Sequence, residues 1–305
     1  DNVAIGCDSP NVDAALERNT TGLQNVAIGG GALTYNTTAN EGTAVGYKAL
    51  EANTTGTRST AVGAFALTSP TTANDNTAVG YAALENNTTG YYNTAVGRDA
   101  MEDNTTGNNN ASLGTFALEA NTTASDNTAC GYAAMVNNTE GFQNTALGSN
   151  SLRTNTTGDN NVAVGYGALY SATTANDNTA VGRDALNDNT TGTRNTAVGA
   201  YSLDANTSAN DNTAFGYQTL TNLNAGNSNT AVGSNALQEC TASDNTAVGM
   251  HALKATTSGA YNTAMGRRAL EANTTGDQNT AIGGLALDAN TTADYNTAIG
   301  YASLS

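Results

Sequence analysis

The sequence predicts an all-β fold, a parallel β-solenoid, and three observations predict it. The pentapeptide Asn-Thr-Ala-Val-Gly, or a close variant, begins at eighteen places between residues 2 and 296. After the first copy it recurs every 17 residues, apart from one step of 16 between residues 229 and 245. Two places in the period always hold a larger apolar residue, while a recurring Gly and Asn-Thr-Thr tracts oppose a helix. A short fixed period along a whole chain marks stacked coils, each touching only its neighbours.

Each element follows from one coil, numbered from its Asn as position one. Thr-Ala-Val at positions two to four reads as a short strand, so Ala and Val face opposite sides. Position four is apolar throughout, as in Ile5, Val79, Cys130, Phe215 and Ile299. It is expected to point inward. The small Ala at position three is then expected outward, where further chains can approach closely. Gly at position five suits a turn or a close backbone approach. Positions six to nine, such as Tyr-Lys-Ala-Leu at 47–50, read as a second short strand, always with Leu or Met at position nine. Asn-Thr-Thr-Gly or Asn-Thr-Thr-Ala closes the coil with turn-forming residues. Residues 1–305 read as one β-solenoid repeat domain of 18 coils, the first of which, 1–24, carries a short insertion around Cys7 and Pro10.

Stacking at roughly 4.8 Å per coil gives Val/Ile, Leu and Asn ladders and a rod of roughly 85 Å. Asn side chains can hydrogen-bond along such a stack. Two large apolar residues are a thin core for 17 ordered ones. Self-association is therefore expected on energetic grounds. The chain starts on the repeat and stops ten residues into its last copy. From its first residues neither an initiator Met nor a signal peptide is read, and none is expected in the mature product. It reads as a mature product or a fragment of a longer fibre, or as subunits stacking end to end through uncapped coils.

Composition narrows the function classes. A net charge of −16, from 26 acidic and 10 basic residues, repels phosphate backbones and anionic membranes. No nucleic-acid partner is expected, and no apolar run is long enough to insert into a membrane. No nucleophile, acid–base pair or phosphate loop stands out, so the chain is read as non-enzymatic, with no cofactor and no metal.

Asn-Thr-Ala-Val-Gly-Tyr-Ala-Ala at 76–83 and Asn-Val-Ala-Ile-Gly at 2–6 resemble the head repeat of trimeric autotransporter adhesins. The resemblance covers essentially the whole chain, and similar repeats look like parts of phage tail fibres. It implies a left-handed parallel β-roll with three chains per trimer, binding surfaces outside the cell. The family's coil is shorter, the extra residues here falling in the Asn-Thr-Thr turn, and no heptad stalk, neck or membrane anchor accompanies it.

Several residues stand out as candidates. Tyr47, Tyr81, Tyr132, Tyr166, Tyr217 and Tyr301 share position six with Arg98, Arg183 and Arg267. Tyr and Arg favour interfaces, so this column is the expected contact face, for a surface receptor or glycan. Asn-Thr-Thr or Asn-Thr-Ser at Asn19, Asn36, Asn53, Asn87, Asn104, Asn121, Asn155, Asn189, Asn206, Asn273 and Asn290 is a formal N-glycosylation acceptor. The same residues are also simply good turn formers, and the sequence leaves both readings open.

Cys130 is expected in the core, while Cys7 and Cys240, too far apart for a bridge, are the candidates for a link between chains. His251, without repeated partners, reads as a surface residue. The acidic residues at position ten (Glu51, Glu85, Glu102, Glu119, Asp204, Glu271, Asp288) and near the coil end (Asp75, Asp126, Asp177, Asp211, Asp244) read as solvated surface. Thr ladders raise an ice-binding reading, but adjacent Thr residues point to opposite faces, which argues against a flat Thr array. The expectation is a structural, adhesive shaft of a fibre on a cell surface, outside the cell or on a virion, with an end-to-end filament or a phage tail-fibre segment as alternatives.

Overall fold

The computed structural model describes residues 1–6, 13–69 and 72–305. Cys7 and most of the first-coil insertion lie outside the described residues. The chain's contacts fall into two compact units, Asp1–Thr157 and Gly158–Ser305. The first holds β1 (Val3–Ile5), β2 (Val26–Ile28), β3 (Thr43–Val45), β4 (Thr60–Val62), β5 (Thr77–Val79), β6 (Thr94–Val96), β7 (Ala111–Leu113), β8 (Thr128–Cys130) and β9 (Thr145–Leu147). The second holds β10 (Val162–Val164), β11 (Thr179–Val181), β12 (Thr196–Val198), β13 (Thr213–Phe215), β14 (Thr230–Val232), β15 (Thr246–Val248), β16 (Thr263–Met265), β17 (Thr280–Ile282) and β18 (Thr297–Ile299). Each unit is a parallel β-solenoid with a 17-residue period and no helix among the described residues.

Register is strict within each unit. Thr60, Ala61 and Val62 pair with Thr77, Ala78 and Val79, and Thr179, Ala180 and Val181 with Thr196, Ala197 and Val198. The 16-residue coil does not disturb it, since Ala231 still pairs with Ala247. The period-two alternation is as expected, but its parity is reversed. From β2 onward the middle residue of every strand is buried, while positions two and four are half-buried or exposed. Ala points inward and Val outward, because the coil is too narrow for a branched residue in the strand. The interior instead takes Ala at positions three and eight and Leu or Met at position nine, as in Ala78, Ala83 and Leu84, all fully buried. Cys130, at position four, is accordingly half-exposed rather than core.

Positions six to nine do not form a second strand. They are a turn in which positions seven and nine are left-handed, as at Lys48 (φ 57°) and Leu50 (φ 53°). A third left-handed residue ends the coil, as at Arg58 (φ 58°). For a residue with a Cβ this conformation costs roughly 1–2 kcal/mol. The ladder that offsets it runs through the turn as well as the strand. Leu50 N–H donates to the Ala66 carbonyl of the following coil (3.1 Å), and Lys48 N–H to the Gly30 carbonyl of the preceding one (2.9 Å). Gly at position five is required twice over. Gly97 has φ +142°, and a Cβ there would lie 2.5 Å from the Gly114 carbonyl oxygen.

Asparagine completes the interior. At position one, Asn93 N–H donates to Asn76 Oδ1 (2.9 Å), and Asn93 Nδ2 donates to the Gly107 carbonyl (2.8 Å). At position twelve, Asn104 Nδ2 donates to Asn87 Oδ1 (2.8 Å) and to the same Gly107 carbonyl (3.1 Å). Two buried amide columns thus clamp one turn carbonyl and tie most coils to the next. Among the described residues, Gly42 and Ser59 interrupt the first column and Ala172, Leu223, Cys240 and Thr256 the second. A third column is formed by Thr at position thirteen, where Thr105 Oγ1 donates to the Thr122 carbonyl (2.9 Å).

Candidate interaction surfaces

The first surface is the outer face of each sheet. Positions two and four project from it, giving one Thr column and one apolar column per unit. The apolar column is partly exposed in each unit, with Val62 37% and Leu113 54% exposed in the first and Phe215 42% in the second. Where Ala111 stands in place of Thr, an apolar depression opens, lined by Thr94, Val96, Leu113, Thr128 and Cys130. Large contiguous apolar patches are uncommon on isolated soluble proteins and mark contact sites.

The second surface is the position-six column. Tyr47, Tyr81, Tyr132, Tyr166, Tyr217 and Tyr301 are all exposed, as are Arg98, Arg183 and Arg267. Sequence reasoning missed the residues that organise it, Phe65, Phe116 and Tyr201 at position seven. Phe65 stands edge-on between Tyr47 (centroids 5.3 Å apart) and Tyr81 (5.7 Å). Phe116 lies between Arg98, stacked over it at 5.4 Å, and Tyr132 at 5.8 Å. Tyr201 lies between Arg183 at 4.9 Å and Tyr217 at 6.1 Å. All three wedges are left-handed, with φ of 60°, 60° and 58°. The signal was the three aromatic residues at position seven, each flanked by Tyr or Arg at position six one coil before and one coil after.

The glycosylation candidates are placed differently from what their motif suggests. Asn36, Asn53, Asn87, Asn104, Asn121, Asn155, Asn189, Asn206 and Asn273 are buried, and Asn290 is half-buried. Their position-twelve amides point into the coil. Asn87 Nδ2, for instance, donates to the Gly90 carbonyl (3.0 Å), and Asn206 Nδ2 to Asn189 Oδ1 (2.8 Å). A glycan on such a nitrogen has no room in the folded coil, so of the two readings the burial favours the turn-forming one, with these Asn residues as a structural ladder.

Cys240 occupies the same column and is fully buried, with burial pushing its thiol up to about 11. It is therefore not placed to link chains. His251 is partly exposed and lies 3.2 Å from Glu271, which also accepts from Arg268. The position-ten acids are half-buried rather than fully solvated. Burial raises the carboxyl groups of Glu85, Glu102 and Glu119, with the negative charge of Asp99 adding to it. Asp204 is pushed up to about 6 for the same first reason. Asp75 is held low by its hydrogen bonds from Arg58. Among the described residues no group of three or more His, Cys, Asp or Glu is arranged to hold a metal ion, and no helix is long and apolar enough to cross a membrane.

Comparison with protein-family models, with curated proteins and with solved structures gives no match.

Proposed function

We propose that the chain is a non-enzymatic structural shaft of an extracellular fibre used in surface attachment, with copies associated side by side through the sheet face. The observation that carries this reading is the outward apolar column, which a single chain leaves in water along each unit. In a parallel copy at the same level, the column nearest the common axis meets its own kind, so Val can stand against Val. Three chains around one axis, as the sequence resemblance implies, would bring three of these apolar columns together and take them out of water.

Cys130 supplies the test, because it sits on that face while Cys240 is buried. In a Cys7→Ser background, mild oxidation should cross-link Cys130 between copies at the same level. Analytical ultracentrifugation should show a discrete oligomer that Val79→Asp dissociates. Long filaments without a Cys130 cross-link would instead favour end-to-end stacking, and a monomer would sink both.

The outward Thr column favours a second reading. A regular array of Thr methyl and hydroxyl groups two residues from a Val column also suits an ordered water surface, so the chain would bind ice. Thermal hysteresis from a monomeric chain would put this reading first.

A further inference from the structure

We infer that each wedge-centred triad is a stacking subsite for an extended, neutral β-1,4-linked polysaccharide running along the coil axis. The inference deepens the attachment reading by naming the chemistry of what is attached. Three features carry it.

The first is repetition. The same arrangement occurs three times, always with position-six residues two coils apart and an aromatic wedge between them. Position seven is aromatic in only three coils, at Phe65, Phe116 and Tyr201, and in each case the position-six residues one coil before and one coil after are Tyr or Arg.

The second is dimension. The distances from Tyr47 and Tyr81 to Phe65 cap the separation of the two tyrosines at about 11 Å. Two coils at ~4.8 Å each give a similar advance. In a β-1,4-linked chain each sugar is turned over relative to the last, so like faces recur once per disaccharide, over about the same distance. One triad thus spans one disaccharide.

The third is chemistry. Aromatic faces carry negative charge density, which attracts the C–H groups on the apolar face of a pyranose ring. Tyr hydroxyls and the Arg98 and Arg183 guanidiniums can meet sugar hydroxyls at the edge. Both arginines are paired with a neighbouring carboxylate, Arg98 with Asp99 at 2.9 Å and Arg183 with Asp184 at 3.1 Å. Their charge is locally balanced, which suits a neutral chain. Nucleic-acid bases also stack on aromatic rings, but a protein of net charge −16 repels their phosphates.

The test is retention of the purified full chain on microcrystalline cellulose and on chitin, with competition by the soluble hexasaccharides. The combined variant Tyr81→Ala, Tyr132→Ala, Tyr217→Ala removes one platform from each triad. Tyr261→Ala, an exposed tyrosine outside the triads (61% exposed), is the control. Retention on at least one of the two polysaccharides is expected, weakened tenfold or more in the combined variant and unchanged in the control, with circular dichroism unaltered in both. Retention on neither, or retention indifferent to the combined variant, overturns the inference. The Cys130 cross-link reads a different face, so the shaft reading and this one can fail separately.

Discussion

Replacing Asn104 with Ala probes the asparagine ladder directly. Asn104 is fully buried and its side chain makes three hydrogen bonds: to Asn87 Oδ1 (2.8 Å), to the Gly107 carbonyl (3.1 Å) and from Asn121 Nδ2 (2.8 Å). The Gly107 carbonyl keeps its bond from Asn93, and Asn121 keeps its bond to the Ala124 carbonyl. The substitution therefore orphans two groups, Asn87 Oδ1 and one N–H of Asn121. At about 1–3 kcal/mol for each buried orphan, Asn104→Ala should cost roughly 2–6 kcal/mol. Adding Asn87→Ala to it removes one of those orphans, so the second substitution should cost less in that background than alone. Solenoids do not unfold as a single step, so guanidinium unfolding should be paired with amide exchange over residues 105–124. A loss below about 1 kcal/mol, with unchanged exchange, would refute the idea that side-chain amides hold the coils together.

Three further outcomes are expected. Gly97→Ala combines a φ of +142° with a carbonyl 2.5 Å from the new Cβ, and should cost at least about 2–3 kcal/mol in a thermal melt. With Cys7 replaced by Ser and the copies separated by Val79→Asp, a thiol reagent at pH 8 should label Cys130 in the folded chain and leave Cys240 unlabelled until it unfolds, since burial both shields Cys240 and raises its thiol to about 11. Asp204 has its carboxyl raised by burial from the usual carboxylate range to about 6, so the folded chain holds that proton more tightly than the unfolded one. Its stabilising contribution is present in full below about pH 4 and is lost as pH rises through 6. Asp204→Asn should flatten that dependence and stabilise the second unit at pH 7, by on the order of 1 kcal/mol after discounting for solvent contact.

Much of the fold was legible because the repeat is nearly invariant. The period located every strand, and the alternation of Thr-Ala-Val located two faces. What the alternation could not supply was parity. Size suggested that Val79 lies inside and Ala78 outside, yet the interior already holds Leu84 and two asparagines per coil, leaving room only for a methyl group. The same error misplaced Cys130. Leu50 and its equivalents hid the turn, since a buried leucine reads as strand and nothing in its chemistry signals a positive φ. The asparagines were legible as ladders, but the Asn-Thr-Thr motif carries a second meaning that only burial separates from the first. On the contact face, Tyr81 and Tyr132 were found as a column, whereas Phe65, Phe116 and Tyr201 were passed over because they stand one position away from it.

The strict register has a consequence for how such a chain changes over generations. Within a unit each coil meets its neighbours through the same bonds, so excising one whole period rejoins like to like. Val62 would pair with Val96 as readily as with Val79. Length is then a modular quantity, adjusted in steps of one coil at little structural cost, and the gene behaves as an adjustable ruler. The irregular coils, with Ala111 and Ser112 in one unit and Phe215 in the other, are the graduation marks that tell one step from the next.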